Sequence, residues 1–516
     1  MPKKIVNFEE KTRYIVETVQ RNGGRISYES LYPQLRHLKV WRSNPSEAIT
    51  GTLIRMAKEK MINFLDRNGE DTTENVLALP DEVVKKKIRS ENTVIKLNIQ
   101  NEYVERLIKS FGVFEVPEHI NKEYYDFIAS ADILASRFGS VAVLWKKAII
   151  VEVTGHRIWM GIRRDSGGEI RFFYVINGES IPIPRMADLI EKSLQHTGTA
   201  ESAFMPNIEN VKIHFYSEVP YNSGFIISSA IATLLTVGTE YLMNRNRFRE
   251  ALLEEKCITG KAFDEFLNRH DMFENAVKMA DGLYMHDRGK IPSATSTSAE
   301  YLLLFGTSKP ANVICYRNRG DKMKPEVHPY YFEKPLFTDI WTGVGHDFPE
   351  LLRSINRRSR CLPDSEMFFE KVADDLYKSM WRYGKAGLDM IHRGLGKGEN
   401  EEISKGFDLL KVAIYEQICN SLRFTYRYFS YPHIATITQI LAQHNRYGSP
   451  VGVGCGGFFQ LLNENFREDR EFTNMLLEVC RDWCLFHGGR IVRNLPYILP
   501  KRDNRFFWGI VVHRAT

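Results

Sequence analysis

The chain has 516 residues, 43% hydrophobic and 26% charged, a composition that folds and that excludes wholesale disorder, collagen-like repeats and a fibrous rod. At about 100 to 200 residues per domain, the length predicts about three domains. The net charge of +6 is local, because residues 1–60 hold 12 Lys or Arg against 6 Asp or Glu and so carry the whole excess. Such a patch on a small domain is the electrostatic mark of a nucleic-acid or acidic partner, although a merely solvated surface has the same composition.

The longest weakly polar stretch, Gly224 to Gly238, is too short and too rich in Ser and Thr to span a bilayer, so no membrane is expected. The start, MPKKIVNFEEKTR, lacks an apolar signal core. Seven cysteines, spread from Cys257 to Cys484, predict reduced thiols and a nuclear or cytoplasmic location.

Residues 7–80 read as three helices and a hairpin. Ile15 and Val19 share one face of the first helix, which Asn22, Gly23 and Gly24 stop; Leu31, Leu35 and Leu38 give the second helix one apolar stripe. The third helix has a capping Asn44, a Pro45 at its first position and Glu47 three after the cap. Ile49, Leu53 and Met56 form its core face, and Arg55, Lys58 and Lys60 lie off that stripe. A strand from Met61 to Leu65, a turn at Asn68-Gly69 and a second strand from Val76 to Leu79 complete the pattern. This order resembles a winged helix, which implies that Arg55, Lys58 and Lys60 contact DNA or that the module over residues 1–90 docks a protein. Residues 91–125 read as the rest of a charged connector that begins at DEVVKKKIRSENTV, with a helix near Val104 to Ile108. Its Lys85, Lys86, Lys87 and Arg89 suit a nuclear-import signal, a nucleic-acid patch or a solvated linker.

From Val219 the sequence runs Pro-Tyr-Asn-Ser-Gly-Phe-Ile-Ile-Ser-Ser-Ala-Ile-Ala-Thr-Leu-Leu, a loop that delivers the start of an amphipathic helix. Unpaired amides and the helix dipole favour a phosphate there, and Ser hydroxyls reach a phosphate or Mg²⁺, though a Ser pair is also a plain cap. Farther on come Ser298-Ala-Glu-Tyr-Leu-Leu-Leu-Phe-Gly306 and the Arg-rich run Arg353 to Arg360, read as a surface loop. Gly394-Leu-Gly-Lys-Gly398 stands before an acidic run and reads as a turn between helices. Gly452-Val-Gly454-Cys-Gly456-Gly457 is followed by the apolar strand Phe458-Phe-Gln-Leu-Leu. Cys480, Cys484 and His487 share a helix face, but they lack a fourth ligand and read as core, so no metal is expected.

The loop carrying Pro220, Gly224, Ser228 and Ser229 resembles the phosphate loop of the GHMP kinase superfamily, Pro-x-x-x-Gly-Leu-Gly-Ser-Ser-Ala. The run at Gly452, Gly454, Gly456 and Gly457 is similar to that family's carboxy-terminal glycine motif. Phe138-Gly-Ser-Val-Ala-Val-Leu-Trp-Lys-Lys147 echoes its first motif, and Ser298 to Gly306 echoes its Asp-Gln segment. The resemblance covers about residues 130–516 and implies an α+β, two-domain body, residues 126–330 and 331–516, behind the winged-helix-like module.

The departures fall on the chemistry. Ile226 and Ile227 stand where the family has Gly and the first Ser, and they are expected to fill the phosphate space. Ala299 stands where many members carry the aspartate that takes the substrate's proton, so no catalytic residue is expected. Ser140 and Lys146 replace the basic residue and the Glu of the first motif, and Val453 and Cys455 replace glycines. Motifs kept with their chemistry lost resemble the nematode sex-determination switch proteins. That resemblance implies a non-catalytic regulator of sexual fate or dosage compensation, with an unidentified protein partner and no cofactor. The alternative is an active small-molecule kinase that binds ATP and Mg²⁺ and uses Glu300 or water as its base; a sensor that binds a sugar or nucleotide without turnover lies between the two.

Overall fold

A computed structural model describes residues 11–12, 14–16, 18–19, 25–36, 41, 44–66, 68–90, 93–98, 101, 104, 116–139, 148–176, 178–199, 210–221, 223–254, 258–259, 269–285, 297–307, 311–317, 325–332, 334–345, 365–424, 431–452, 456–487, 495–500 and 507–516. Among them no helix is long and apolar enough to cross a membrane. The chain divides into two units, residues 1–115 and 116–516.

The amino-terminal unit is built on three antiparallel strands, β1 (Arg25–Ser27), β2 (Ile62–Leu65) and β3 (Val94–Leu97), in the order β1-β3-β2. Ser27 caps α1 (Tyr28–Leu35), and Asn44 caps α2 (Pro45–Lys58) by accepting the Glu47 amide. Ile49, Leu53 and Met56 are buried, as their spacing predicts, while Arg55 and Lys58 are exposed.

The expected second hairpin strand is absent. Val76 lies in a short helix, α3 (Thr73–Leu77), and Asp81–Ile88 forms α4. The partner of β2 is β3, which comes from the stretch read as connector. The apolar residues Val76, Leu77 and Leu79 suit a helical turn as well as a strand, and Pro80 breaks the chain where a strand would continue. The basic cluster is likewise no solvated linker. Val84 and Ile88 bury one side of α4, and Lys85 and Arg89 pair with Glu47 of α2 at 3.3 and 2.6 Å.

The larger unit carries nine strands in one sheet. Along β7 (Glu179–Pro182), β6 (Glu169–Ile176), β8 (Val211–Ser217), β5 (Ala148–Arg164), β4 (Phe127–Phe138), β16 (Ile510–Ala515) and β9 (Ile258–Thr259) each strand bonds the next; β10 (Val313–Arg317) bonds β5 and β11 (Glu326–Tyr330). Only β6 and β8 run parallel. On the side away from β4, the 17 residues of β5 serve two neighbours, β10 along the first half and β8 along the second.

The helices α5 (Pro184–Thr199), α6 (Ile227–Met243), α7 (Arg245–Glu254), α8 (Arg269–Met285) and α9 (Thr297–Phe305) lie between these strands in the sequence. α6 is central: it packs on β4, α8 and α9, and it is buried nearly all round. Its Thr233, Thr236 and Thr239 tolerate burial because each hydroxyl donates to the carbonyl four residues back, at 2.6, 3.0 and 2.9 Å. Gly238 lets the helix approach the sheet, since a Cβ there would lie 2.6 Å from Ile162 Cδ1.

A second antiparallel sheet has the order β13-β14-β12-β15, formed by β12 (Phe337–Trp341), β13 (Gly448–Pro450), β14 (Phe458–Leu462) and β15 (Tyr497–Ile498). Its helices are α10 (Ser365–Ser379), which runs through a π turn (Met380–Lys385) into α11 (Ala386–Lys397), then α12 (Asn400–Phe424), α13 (Pro432–Gln443) and α14 (Arg470–His487). The Gly394 to Gly398 run, expected as a turn between helices, is helical through Lys397, the last residue of α11; only Gly398 breaks the helix, capping it in the left-handed region at φ 72°. The body is α+β, but its last strand crosses back, so β16 at the carboxy terminus completes the first sheet beside β4.

Candidate phosphate-loop site

The two glycine loops meet, backbone on backbone. Gly224 has φ +86° and Gly457 φ +82°, conformations that glycine adopts without strain. A Cβ on Gly224 would lie 2.7 Å from the Val451 carbonyl oxygen, and one on Gly452 would lie 2.8 Å from the Gly224 carbonyl oxygen. Phe458 N–H donates to the Ser223 carbonyl across the seam, and Val451 N–H donates to the Phe458 carbonyl across the base of the second loop, both at 2.8 Å. Gly454 lies outside the described residues, as do Ser140, Lys146, Val453, Cys455 and the Arg353 to Arg360 run.

The helix begins one residue before the serines. Ile226 occupies the cap position and Ile227 is the first residue of α6, so Ser228 and Ser229 belong to the first turn and neither is the cap. Ser228 is half-buried; Ser229 is buried, and its hydroxyl meets no hydrogen-bond partner among the described residues.

An anion at this helix start needs free amides. Ile226 N–H instead donates to the Leu134 carbonyl of β4, and Ile227 N–H to the Phe225 carbonyl, both at 2.9 Å. Phe225 forms a β-bridge with Ala135 and stacks on Phe458, ring centroids 4.5 Å apart. The Ile227 side chain joins the core and Ile226 packs against it. The Ile226 amide and the Phe225 bridge draw the loop onto β4. The isoleucine side chains turn inward, which differs from the expectation that they project into the phosphate space.

No Lys or Arg occurs in residues 219–229 or 451–458. The adjacent strand does carry Arg137, but its donors are taken. Nε donates to Glu152 at 2.8 Å, the two terminal nitrogens hold Asp339 at 2.5 and 2.8 Å, and one of them also reaches Gln460 at 3.3 Å. Burial opposes the guanidinium charge, and Asp339 and Glu152 outweigh it and hold the arginine above its usual range. Ala299 is buried on α9, which packs against α6, and its methyl group has no proton-accepting chemistry. Glu300 is fully buried beside it.

A second buried ion pair anchors the last strand. Asp132 of β4 accepts Arg157 of β5 and the amides of Trp508 and Gly509, the latter two at 2.6 and 2.7 Å; Arg157 also donates to the Gly509 carbonyl at 2.8 Å. Sequence reasoning missed both clusters. Their signal was present, because Asp132, Arg137, Glu152 and Arg157 interrupt runs that otherwise read as fully buried strands, and a charge in such a run requires a partner. Cys480 and Cys484 are core residues, as expected, with burial pushing their thiols up to about 12 and about 11. No group of metal-binding side chains occurs among the described residues.

No protein-family model matches the sequence, and no curated protein matches it. Among solved structures the chain is similar to an L. major mevalonate kinase in complex with R-mevalonate, at 13% identity over 76% of this chain and 98% of that one, with a TM-score of 0.41. It is similar to the Streptococcus pneumoniae phosphomevalonate kinase in complex with phosphomevalonate and AMPPNP, at 11% identity over 69% and 96%, with a TM-score of 0.39. A mevalonate diphosphate decarboxylase from Staphylococcus aureus matches at 10% identity over 75% and 98%, with a TM-score of 0.37.

Proposed function

We infer that the chain is a non-catalytic regulatory protein with a GHMP-kinase-like body, one that works by binding partners through its surface. The observation that carries this reading is the commitment of the Ile226 and Ile227 amides to Leu134 and Phe225, at the point where the resembling family would seat a phosphate. The loops lack a cation to answer an ATP phosphate and Ala299 supplies no base, so the site does not fit phosphoryl transfer. Kept motifs with lost chemistry support a role as a developmental switch of the sex-determination or dosage-compensation kind. Turnover assays with galactose, homoserine and mevalonate are expected to give no phosphoryl transfer. Steady turnover that disappears in Ser228→Ala, with the fold intact, would overturn the reading in favour of an active kinase.

The amino-terminal unit supplies one such surface. Its elements run β1, α1, α2, β2, α3, α4, β3, an order that supports the winged-helix-like reading, and α2 leaves Arg55 and Lys58 exposed with Lys60 just beyond its end. Arg55 makes an exposed pair with Glu59 at 2.9 Å, of the kind that solvent weakens. If this face binds duplex DNA, neutralising Arg55 and Lys58 in the full chain lowers affinity and flattens its salt dependence by about two counterions. Absence of binding even at low salt would leave protein docking as the role of the unit.

A further inference from the structure

Arg137 does more than withhold a cation from the loops, because its partners lie in two different sheets. Glu152 faces it from β5, inside the nine-stranded sheet. Asp339, which it holds with two hydrogen bonds, lies in the middle of β12 in the four-stranded sheet. Gln460 of β14 sits opposite Asp339 in register, accepts from Arg137, donates back to the Arg137 carbonyl at 3.1 Å and donates to Ser449 of β13 at 2.8 Å. The guanidinium thus links β4 to three other strands, β5, β12 and β14, and Gln460 extends the network to β13.

The cluster is dry. The Arg137, Glu152 and Asp339 side chains are 3%, 3% and 8% exposed. The Phe337 ring lies 4.9 Å from the guanidinium, and Phe138, Ala148 and Leu462 belong to the same apolar cluster as Phe337. A buried pair adds little net stability over an apolar contact, but separating its members strands charges in a low dielectric. Its physical use is to allow one arrangement of the elements that carry it and to penalise others.

We propose that Arg137 is a buried charge clamp that locks the nine-stranded and four-stranded sheets into a single cooperative body. Two substitutions separate this role from general destabilisation. Asp339→Asn and Glu152→Gln each remove one carboxylate charge from the same arginine, but only the first removes the charge pair between the sheets, leaving the neutral Gln460 bonds as the remaining link. The test is hydrogen exchange of the full chain, followed by mass spectrometry of peptides over residues 127–138 and 158–162 and over 337–341 and 458–462. In the wild type, both groups are expected to exchange through one shared opening. In Asp339→Asn, the peptides of the four-stranded sheet are expected to exchange on the order of a hundredfold faster while the other group stays protected. In Glu152→Gln the two groups still exchange together.

Equal behaviour of the two variants would overturn the clamp. If Asp339→Asn does not fold, the wild-type comparison decides. A four-stranded sheet that opens well before the nine-stranded one contradicts the proposal, and shared opening supports it.

Discussion

Replacing Gly457 with alanine is expected to lower the stability of the larger unit by at least about 3 kcal/mol, seen as a fall in the urea midpoint. Two costs add. The residue sits at φ +82°, where a Cβ costs about 1 to 2 kcal/mol. The new methyl would also lie 2.3 Å from the Ser223 carbonyl oxygen and 2.6 Å from its carbon, backbone atoms that move only if the seam between the glycine loops parts. The control is Gly396→Ala in α11, where a Cβ meets nothing within 4 Å. It is expected to raise stability by about 0.5 to 1 kcal/mol, the helical advantage of alanine over glycine. Similar small effects for the two substitutions would show that the loops do not pack as described.

Asp132→Asn is the second substitution with a large expected effect. It keeps the shape of the side chain, removes the charge that answers Arg157 and presents an NH₂ group where three donors converge. Breaking a buried pair by altering one partner costs about 3 to 5 kcal/mol. The loss should be accompanied by early exchange of β16, because Asp132 and Arg157 together hold the Trp508 and Gly509 turn that leads into it. A cost below about 1 kcal/mol, with β16 still protected, would mean that the strand is held by its pairing with β4 and β9 alone.

Local rules of the chain made part of this structure legible. Asn44 and Pro45 start α2 because a capping amide and a preset φ act within one turn, and Gly398 ends α11 for a similarly local reason. Gly224 and Gly457 stood out in the two glycine motifs, and the strand after Gly457 followed from an apolar run that only Gln460 interrupts. What stayed hidden depends on distant residues. The partner of β2 lies about thirty positions downstream and nothing near β2 points to it, although Val84 and Ile88, four residues apart, carry a helical cue in the segment between. The Ser pair does mark the start of α6, but the cap falls on Ile226, because Ile227 enters the helix through core burial and a bond from Ile226 to Leu134, and neither is visible in a Ser-Ser pair. The Asp132 and Arg137 clusters showed only as misplaced charges, since their partners come from strands up to several hundred residues away.

Calorimetric titration of the full chain with Mg·ATP bears most directly on the closed phosphate loop. The commitment of the Ile226 and Ile227 amides, together with two loops that contain no cation, predicts no heat of specific binding. Saturable binding to one site, abolished by Ser228→Ala in a protein that remains folded, would contradict it and return the chain to the nucleotide-binding kinases or sensors.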